Sequence, residues 1–470
     1  MSVIRTNSAT ELLVQVRRDN PEPMHAQLER ELRTAVRNRR LAPNALLPST
    51  RSLADQLGVS RGVVVEAYEQ LVAEGYLVGR HGSATRVAAR AAGPATEGPP
   101  MATTPEIRID FRPGRPDVSQ FPRGAWLSSV RRAMNEAPAD RFGYGDGRGL
   151  IELREALATY LNRVRGTVAD ADRIMISNGY SQGLSLICQV LRAGGARRLA
   201  VEDPSYEGAR DSVLAAGLEL VPIGVDADGL RLDELERTTA DAVLVTPAHQ
   251  YPTGAVLPPK CRAALAAWAI RHEALIIEDD YDAEYRYDRE PIGAIQGIAP
   301  DRVIYAGSAS KTLAPGLRLG WLLIPAPLVE PLAAAKLGAD NGSPAIEQLA
   351  FADFVSRGEL GRHLRRMRLV YRRRRDVLVA ALARHTPSLQ VTGTAAGLHL
   401  LAWLPPGLEE AAIIERAREH GLALYGIVRL RLRPSSPGGL IFGYANLTEP
   451  EIVAGVKLLA SIIASVTTRS

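Results

Sequence analysis

Lys311 stands out because the chain has almost no other lysine. The sequence contains 57 Lys and Arg residues, and only four of them are lysines: Lys260, Lys311, Lys336 and Lys457. Arginine keeps its charge near neutral pH, whereas a desolvated lysine can lose its proton and condense with an aldehyde. A position that retains lysine is therefore a place to look for chemistry that arginine cannot perform.

The segment around Lys311 combines this amine with groups that suit a phosphate. The apolar residues 302–307 predict a short strand, and Ser308, Ser310 and Arg318 follow it. Hydroxyls and an Arg at the end of a strand are suited to binding phosphate oxygens. An amine that traps an aldehyde beside a phosphate site is the combination that pyridoxal phosphate needs. The alternative is a solvated lysine in a surface loop.

Four other short apolar runs predict the sheet that would position this segment. Residues 173–177, 199–202, 242–245 and 274–277 alternate with helical patterns, which favours an α/β fold with a mostly parallel sheet. Ligands of such sheets bind at the carboxyl ends of the strands. The polar residues that follow these runs are therefore candidate site residues.

Three of these strand ends carry groups that pyridoxal phosphate requires. Ser181 opens a helix whose backbone N–H groups could hold the phosphate, and Tyr206 could stack on a pyridine ring. Asp279 follows a buried strand, where a carboxylate can keep the pyridine nitrogen protonated. The alternatives are an ordinary helix start, a tyrosine packed in a loop, and a metal site at the acids.

The first ninety residues predict a separate DNA-binding unit. They hold 13 Arg and 9 acidic residues, a balance of +4 that favours a polyanionic partner. An amphipathic helix over 25–40 precedes a second helix that ends at Gly58 and a third that begins after Ser60. Residues 76–87 predict a hairpin with a basic tip. This order is a winged helix-turn-helix; the alternative is a three-helix scaffold that binds another protein.

Composition separates two domains and sets the class of the protein. Residues 1–88 are predicted to form the winged helix-turn-helix domain, and 89–106, rich in Pro, Gly, Ala and Thr, a flexible linker. We expect residues 107–470 to form the large region, with a large domain at about 140–355 and a small domain at about 356–470.

The chain has 46% hydrophobic and 23% charged residues, which is typical of globular proteins. We expect no membrane span and no signal segment, and hence a cytoplasmic protein. The two cysteines, Cys188 and Cys261, have no metal-type spacing and are interpreted as core thiols.

The stretch PSTRSLADQLGVSRGVVVEAYEQLVAEGYLVGRHGSATRV, residues 48–87, resembles the winged-helix domain of the GntR family of regulators. The resemblance implies binding to double-stranded operator DNA. It places at or near the DNA the residues Arg51, Arg61, Gly62, Val63, Arg80 and Gly82.

The large region resembles the fold-type I pyridoxal-phosphate aminotransferases. A strand-end Asp followed about thirty residues later by S-x-S-K and an Arg is their hallmark. The resemblance implies pyridoxal 5′-phosphate as cofactor, with Lys311 as the Schiff-base lysine, Asp279 at the ring nitrogen and Tyr281 at the phenolic oxygen. Tyr206 would stack on the ring. Around the phosphate it implies Tyr180, Ser181, Ser308, Ser310, Arg318 and, from the second subunit of a homodimer, Tyr144.

The two resemblances together are those of the MocR subgroup of GntR regulators, as is the stretch TPAHQYPTG at 246–254. They imply a regulator that senses pyridoxal phosphate or its adduct with an amino compound, and controls genes of cofactor synthesis or amino-acid metabolism. The alternative is an active aminotransferase with a DNA-binding appendage. Ile441 stands where an aminotransferase places the Arg that grips a substrate carboxylate, although Arg429, Arg431 and Arg433 lie just upstream and one of them could replace it. This departure favours the regulator.

Overall fold

A computed structural model describes residues 16–17, 20–38, 40–79, 84–88, 106–287, 293–393, 396–435 and 437–467. The chain divides into two compact units, Met1–Thr104 and Pro105–Ser470. Within the described residues, no helix combines the length and the apolar character needed to cross a membrane.

The first unit has three helices and a two-stranded hairpin: α1 (Met24–Arg37), α2 (Thr50–Leu57), α3 (Arg61–Ala73), β1 (Leu77–Val78) and β2 (Arg86–Val87). The two strands pair antiparallel. The apolar positions that predicted the helices form one core, because they recur at helical spacing and face each other. That core includes Leu28, Leu32, Ala35, Val36, Leu53, Ala54, Val64, Ala67, Tyr68 and Leu71.

The turn between α2 and α3 has the predicted geometry. Gly58 ends α2 at φ +64°, which an L side chain rarely adopts, and Ser49 caps the start of α2 through the backbone N–H of Ser52. Ser60 precedes α3 in the N-cap position, but its side chain makes no capping hydrogen bond.

The second unit alternates strands and helices along the chain. Its strands are β3 (Ile109–Asp110), β4 (Ile174–Ser177), β5 (Arg198–Asp203), β6 (Glu219–Asp226), β7 (Gly229–Leu230), β8 (Ala242–Val245), β9 (Leu275–Asp279), β10 (Val303–Ser308), β11 (Gly320–Leu323), β12 (Gln390–Thr392), β13 (His399–Trp403), β14 (Leu422–Ala423), β15 (Tyr425–Gly426) and β16 (Gly439–Gly443). Its helices are α4 (Arg123–Glu136), α5 (Ile151–Arg165), α6 (Tyr180–Ala193), α7 (Glu207–Ala215), α8 (Leu232–Leu235), α9 (Pro259–Arg271), α10 (Ala309–Thr312), α11 (Val329–Asp340), α12 (Ala345–Ser356), α13 (Glu359–His385), α14 (Glu410–Glu419) and α15 (Glu449–Thr467).

The central sheet has the order β4-β11-β10-β9-β8-β5-β6-β7. The predicted strands are present and run parallel, while β11 and β7 are antiparallel to their neighbours. The carboxyl ends of β4, β5, β8, β9 and β10 therefore lie at one edge of the sheet. The sequence did not predict β11; it begins at Gly320, where an added Cβ would lie 2.8 Å from the carbonyl carbon of Gly179.

A second sheet, β12-β13-β16-β15, belongs to the C-terminal part of the chain, and β3 pairs with β14. One large apolar cluster joins this sheet to α5, α12, α13 and α15. Two smaller clusters pack helices against the central sheet. Helices thus support the strand ends that carry the polar residues.

Candidate functional site

The carboxyl edge of the central sheet opens into a cavity of about 290 Å³. Nine of the predicted cofactor residues line it: Tyr180, Ser181, Tyr206, Asp279, Tyr281, Ser308, Ser310, Lys311 and Arg318. A larger surface groove, of about 610 Å³, lies along α4, α5 and α12 and contains none of these residues. The smaller cavity is the candidate site because the predicted cofactor residues line it.

Lys311 lines this cavity and lies in α10, which directly follows β10. Its Nζ donates a hydrogen bond to the carbonyl oxygen of Gly114 at 2.6 Å. Burial lowers the pKa of Lys311, against the opposing effect of the negative charges of Asp282 and Asp279. The amine is therefore held in a fixed position and loses its proton more easily than a solvated lysine does.

Asp279 ends β9 and faces the same cavity. Burial raises the pKa of Asp279 to about 8, although the Tyr180 hydroxyl and the charge of Lys311 act in the opposite direction. A carboxyl group in such a place gains most from a cationic partner, because a cation would offset the cost of its desolvation. A protonated pyridine nitrogen is a partner of this kind.

The neighbouring acid, Asp280, points away from the cavity because successive side chains alternate across a strand. Its carboxylate accepts hydrogen bonds from Arg165 Nε and from the Tyr305 hydroxyl, both at 2.6 Å. The exposed fractions of the Arg165 and Asp280 side chains are 1% and 2%. Asp280 is thus occupied by a buried ion pair with Arg165, and Asp279 is the acid that lines the cavity and can reach a ligand.

Arg318, one of the groups predicted to bind the phosphate, contacts a tight turn between β4 and α6. Gly179 has φ +87°, and a Cβ there would lie 2.9 Å from a guanidinium nitrogen of Arg318. Arg318 donates to the carbonyl oxygen of Asn178 at 2.6 Å and itself adopts a left-handed backbone, with φ +51°. Gly179 is thus required for Arg318 to approach the start of α6, where backbone N–H groups favour anions.

Aromatic side chains form the opposite wall. The ring centroids of Tyr206 and Tyr251 lie 6.3 Å apart in an edge-to-face contact, and those of Tyr251 and His399 lie 5.2 Å apart. Tyr206 is 49% exposed, so its ring is accessible for stacking. The Tyr281 hydroxyl donates to the carbonyl oxygen of His249 at 2.8 Å, and it also lies 3.2 Å from His249 Nδ1.

Several residues at the site were missed by the sequence analysis. Glu202, Thr246, His249 and His399 lie in or beside the cavity, as does Gly114. His249 Nδ1 lies 3.0 Å from Asp282 Oδ2, and the His249 and His399 rings are 4.7 Å apart. The stretch TPAHQYPTG contains both Thr246 and His249, but no local pattern points to Gly114, Glu202 or His399.

Burial shifts the pKa values of His399 and Glu202 in opposite directions. Burial holds the pKa of His399 well below its ordinary value, and it raises the pKa of Glu202 to about 7 against hydrogen bonds from Thr246 and Gln250. His399 Nε2 and Ser205 Oγ, both buried at the cavity, have no hydrogen-bond partner among the described residues. Such atoms favour a polar occupant.

The donor set fits pyridoxal phosphate. Lys311 supplies an amine, Asp279 a buried acid, and Tyr206 an accessible ring. Ser181 and Arg318 lie on two sides of the turn that would hold the phosphate. The orphaned polar atoms of Ser205 and His399 leave hydrogen-bonding capacity for the polar groups of a ligand.

Tyr144 is not at this cavity. It lies in the loop before α5 and is 96% exposed. Its predicted place at the phosphate of a second subunit stays a prediction.

Ile441 is buried in β16, which agrees with its place in an apolar run of the sequence. It packs with Leu401, Ile427 and Leu430, and Tyr251 and Tyr425 lie against the same cluster. A carboxylate cannot pair with this side chain, so the position offers an apolar support for the aromatic wall.

The three upstream arginines have different surroundings. Arg433 pairs with Asp203 and Glu234, and Arg431 donates to the carbonyl oxygens of Ser435 and Pro437. Arg429 is exposed, with its guanidinium 5.7 Å from the centroid of the Tyr425 ring. Burial raises the pKa of Tyr251 to about 12, against the opposing charge of Arg429. Among the described residues, no carboxylate forms a salt bridge with Arg429.

In the first unit, the residues predicted to contact DNA lie at the starts of α2 and α3. Arg51, Arg61 and Gly62 are exposed, and Val63 is half-buried. The Arg61 Nε lies 3.4 Å from the Thr50 hydroxyl oxygen, which orients its side chain along the helix starts. The predicted wing residues Arg80 and Gly82 lie outside the described residues.

Two family models match the chain. Residues 25–87 match the model "Bacterial regulatory proteins, gntR family", and residues 118–453 match "Aminotransferase class I and II". The chain is 34% identical, over 94% of each chain, to the "Probable rhizopine catabolism regulatory protein MocR" of Rhizobium meliloti. The chain belongs to the MocR subgroup of the GntR regulators.

Other relatives of this MocR-type chain agree with both halves of its architecture. The "HTH-type pyridoxine biosynthesis transcriptional regulator PdxR" of Corynebacterium glutamicum is 33% identical over 91% of this chain and 93% of its own. The structure of LysN, an alpha-aminoadipate aminotransferase of Thermus thermophilus complexed with N-(5′-phosphopyridoxyl)-L-leucine, matches with a TM-score of 0.71. It is 25% identical and covers 77% of this chain and 94% of its own.

These likenesses confirm the predicted fold, a GntR winged helix joined to a fold-type I aminotransferase domain. They also confirm the predicted cofactor: the aminotransferase domain of this MocR-type regulator uses pyridoxal 5′-phosphate. The GntR domain makes DNA its partner.

Proposed function

We propose that this protein is a homodimeric transcription regulator that senses pyridoxal phosphate or its adduct with an amino compound. Binding of this ligand changes the affinity of the protein for operator DNA. The observation that carries the proposal is the cavity that joins Lys311 and Asp279 to the phosphate-binding turn, while Ile441 leaves no fixed Arg at the usual carboxylate position. Such a site keeps cofactor binding and lacks one requirement of efficient transamination.

Each residue has a distinct part in this binding. Bound pyridoxal phosphate supplies an aldehyde that exchanges amines and a ring that withdraws electrons. Lys311 would offer its amine to the aldehyde carbon, and Asp279 would hold a proton at the ring nitrogen. Tyr206 would cover the ring, while Ser181 and Arg318 would hold the phosphate.

Arg429 supports an effector that carries an anionic group. Its guanidinium lies 5.7 Å from the centroid of the Tyr425 ring, its charge acts on Tyr251, which lines the cavity, and no described carboxylate forms a salt bridge with it. Arg431 and Arg433 are held by other partners. An amino compound with a carboxylate, sulfonate or similar group would pair with Arg429 at this side.

Exposed apolar side chains support a dimer. Leu127, Met134 and Phe142 are 58%, 50% and 46% exposed and lie close in sequence to Tyr144. Large exposed apolar side chains favour association when a second copy covers them. Tyr144, which its own cavity does not use, would then be available to the site of the second subunit.

The second candidate function is transamination. The cavity favours it because Lys311 and Asp279 both line it. Catalysis needs repeated proton transfer by Lys311 on a bound amino acid, whereas sensing needs one amine exchange and a change of shape. Steady-state conversion of amino acids to oxo acids, measured with the purified protein and pyridoxal phosphate, separates the two functions.

Replacing Arg61 by Ala tests the DNA-binding surface. We expect weaker operator binding and an unchanged cofactor spectrum, since Arg61 lies at the start of α3 in the first unit and the cofactor cavity lies in the second. A base contact predicts a loss of about 1–3 kcal/mol with relaxed sequence preference; a phosphate contact predicts a uniform loss and a smaller salt slope. Binding is measured by titration of labelled operator at several salt concentrations.

Exposed Arg30, on α1, is the control for the loss of one charge. The Arg30→Ala protein should bind operator more nearly as the wild type does. Wild-type affinity of Arg61→Ala would contradict the placement of the recognition surface.

Coupling between the two ligands tests the proposal as a whole. A ligand that shifts the protein between two arrangements of unequal DNA affinity must change DNA binding, and operator DNA must change the affinity for that ligand by the same factor. We therefore expect the dissociation constant of pyridoxal phosphate, or of the amino effector, to differ with and without saturating operator DNA. Equal constants with the DNA shown to be bound would favour the aminotransferase.

A further inference from the structure

Lys336 is a second buried lysine, and it lies outside the cavity lining. Its side chain, on α11, is 0% exposed. Its Nζ lies 2.7 Å from Oδ1 and 2.5 Å from Oδ2 of Asp340, one turn further along the same helix. A buried ammonium group requires such a partner, because its desolvation is costly.

Asp340 connects this lysine to the turn between β4 and α6. Its Oδ2 accepts hydrogen bonds from Asn178 Nδ2 at 2.8 Å and from Gln182 Nε2 at 2.6 Å. Gln182 Oε1 in turn accepts from the backbone N–H of Asn178 at 2.7 Å. Arg318 holds the Asn178 carbonyl oxygen, so the turn is fixed from both sides.

The charge of Asp340 would oppose phosphate binding if it stood alone. Although burial acts to raise it, hydrogen bonds from Lys336 and Gln182 hold the pKa of Asp340 below its ordinary value, so the group is an anion. An uncompensated anion beside the predicted phosphate-binding turn repels a phosphate dianion, and solvent weakens this repulsion only in part because the Asp340 side chain is 21% exposed. Lys336 cancels this charge and leaves the oxygens free to orient amide donors.

We propose that Lys336 is a positioning residue for the cofactor's phosphate. It neutralises Asp340, which allows Asp340 to hold the turn of residues 178–182 without repelling the phosphate. The inference rests on the proposed cofactor site. A compact ammonium group suits the enclosed space next to Asp340, where the wider guanidinium that serves most cationic positions in this chain would be harder to place.

The test compares two ligands that differ only in the phosphate. Dissociation constants for pyridoxal 5′-phosphate and for pyridoxal are measured with the wild type, with Lys336→Met and with Lys457→Met. Lys457 is exposed on α15, so its replacement removes one charge without touching the turn. We expect Lys336→Met to weaken pyridoxal phosphate binding on the order of ten-fold at low salt and to leave pyridoxal binding nearly unchanged.

A double variant separates charge from packing. In Lys336→Met/Asp340→Asn the uncompensated anion is absent, so most of the lost affinity for pyridoxal phosphate should return. Equal losses for both ligands, or a double variant that binds as weakly as the single one, would overturn the role of Lys336.

Should Lys336→Met fail to fold, Asp340→Asn decides alone. It removes the anion and keeps one side-chain oxygen that can accept from Asn178 and Gln182, so the preference for pyridoxal phosphate over pyridoxal should be at least that of the wild type. A smaller preference would overturn the inference. A wild-type protein that binds neither ligand would instead refute the proposed cofactor site itself.

Discussion

Replacing Lys311 by Ala should abolish the covalent link between the chain and pyridoxal phosphate. Lys311 is the one lysine at the cavity, since Lys260 is a surface residue, Lys457 is exposed and Lys336 is sealed against Asp340. The visible absorbance of the linked cofactor should disappear. Some cofactor should still bind, because Ser181, Arg318 and the turn remain.

Borohydride reduction followed by mass spectrometry of the peptides measures this link directly. Lys260→Ala is the matched control, and it should keep the full absorbance. A reducible adduct in the Lys311→Ala protein would show that another amine holds the cofactor.

Replacing Asp279 by Asn should weaken pyridoxal phosphate binding and shift its absorption spectrum. The amide cannot carry the negative charge that pairs with a protonated ring nitrogen, so a charge-assisted contact, worth about 1.5–3 kcal/mol, would be lost. This corresponds to an affinity loss on the order of ten- to a hundred-fold. Spectral titration with the cofactor measures both effects.

The same variant should change how the stability of the cofactor-free protein depends on pH. Because the pKa of Asp279 is raised from 3.8 to about 8 in the folded chain, its contribution to stability is present below about pH 4 and is lost as the pH rises to 8. Asp279→Asn removes this loss. The stability of the variant minus that of the wild type should therefore be larger at pH 8.5 than at pH 5. Thermal unfolding measures both stabilities, and a difference that is the same at both pH values would contradict the raised pKa of Asp279.

Asp280→Asn should behave in the opposite way. Its carboxylate pairs with buried Arg165 and not with the ligand, so the variant should lose stability, by about 3 kcal/mol, while the cofactor spectrum changes little. A larger spectral effect for Asp280→Asn than for Asp279→Asn would reverse the assignment of the two acids.

Local patterns of the sequence determined the identity of the elements and the main residues of the site. The helix-turn-helix could be predicted because the apolar spacing and Gly58 act within a few residues of each other. Lys311, Asp279 and the serines could be predicted because the carboxyl ends of parallel strands must meet at one edge of a sheet. These inferences need no knowledge of which distant segments touch.

The tertiary structure decided whatever depends on contacts between distant segments. Lys311 is held by Gly114, which lies 197 residues away, and Asp340 reaches Asn178 across 162 residues. Likewise, neighbouring Asp279 and Asp280 look alike in the sequence, and only the pleat of β9 within its sheet determines that one faces the ligand and the other faces Arg165. Burial and charge at such positions arise from packing, so no local pattern could have assigned Lys336 or His399 a role at the site.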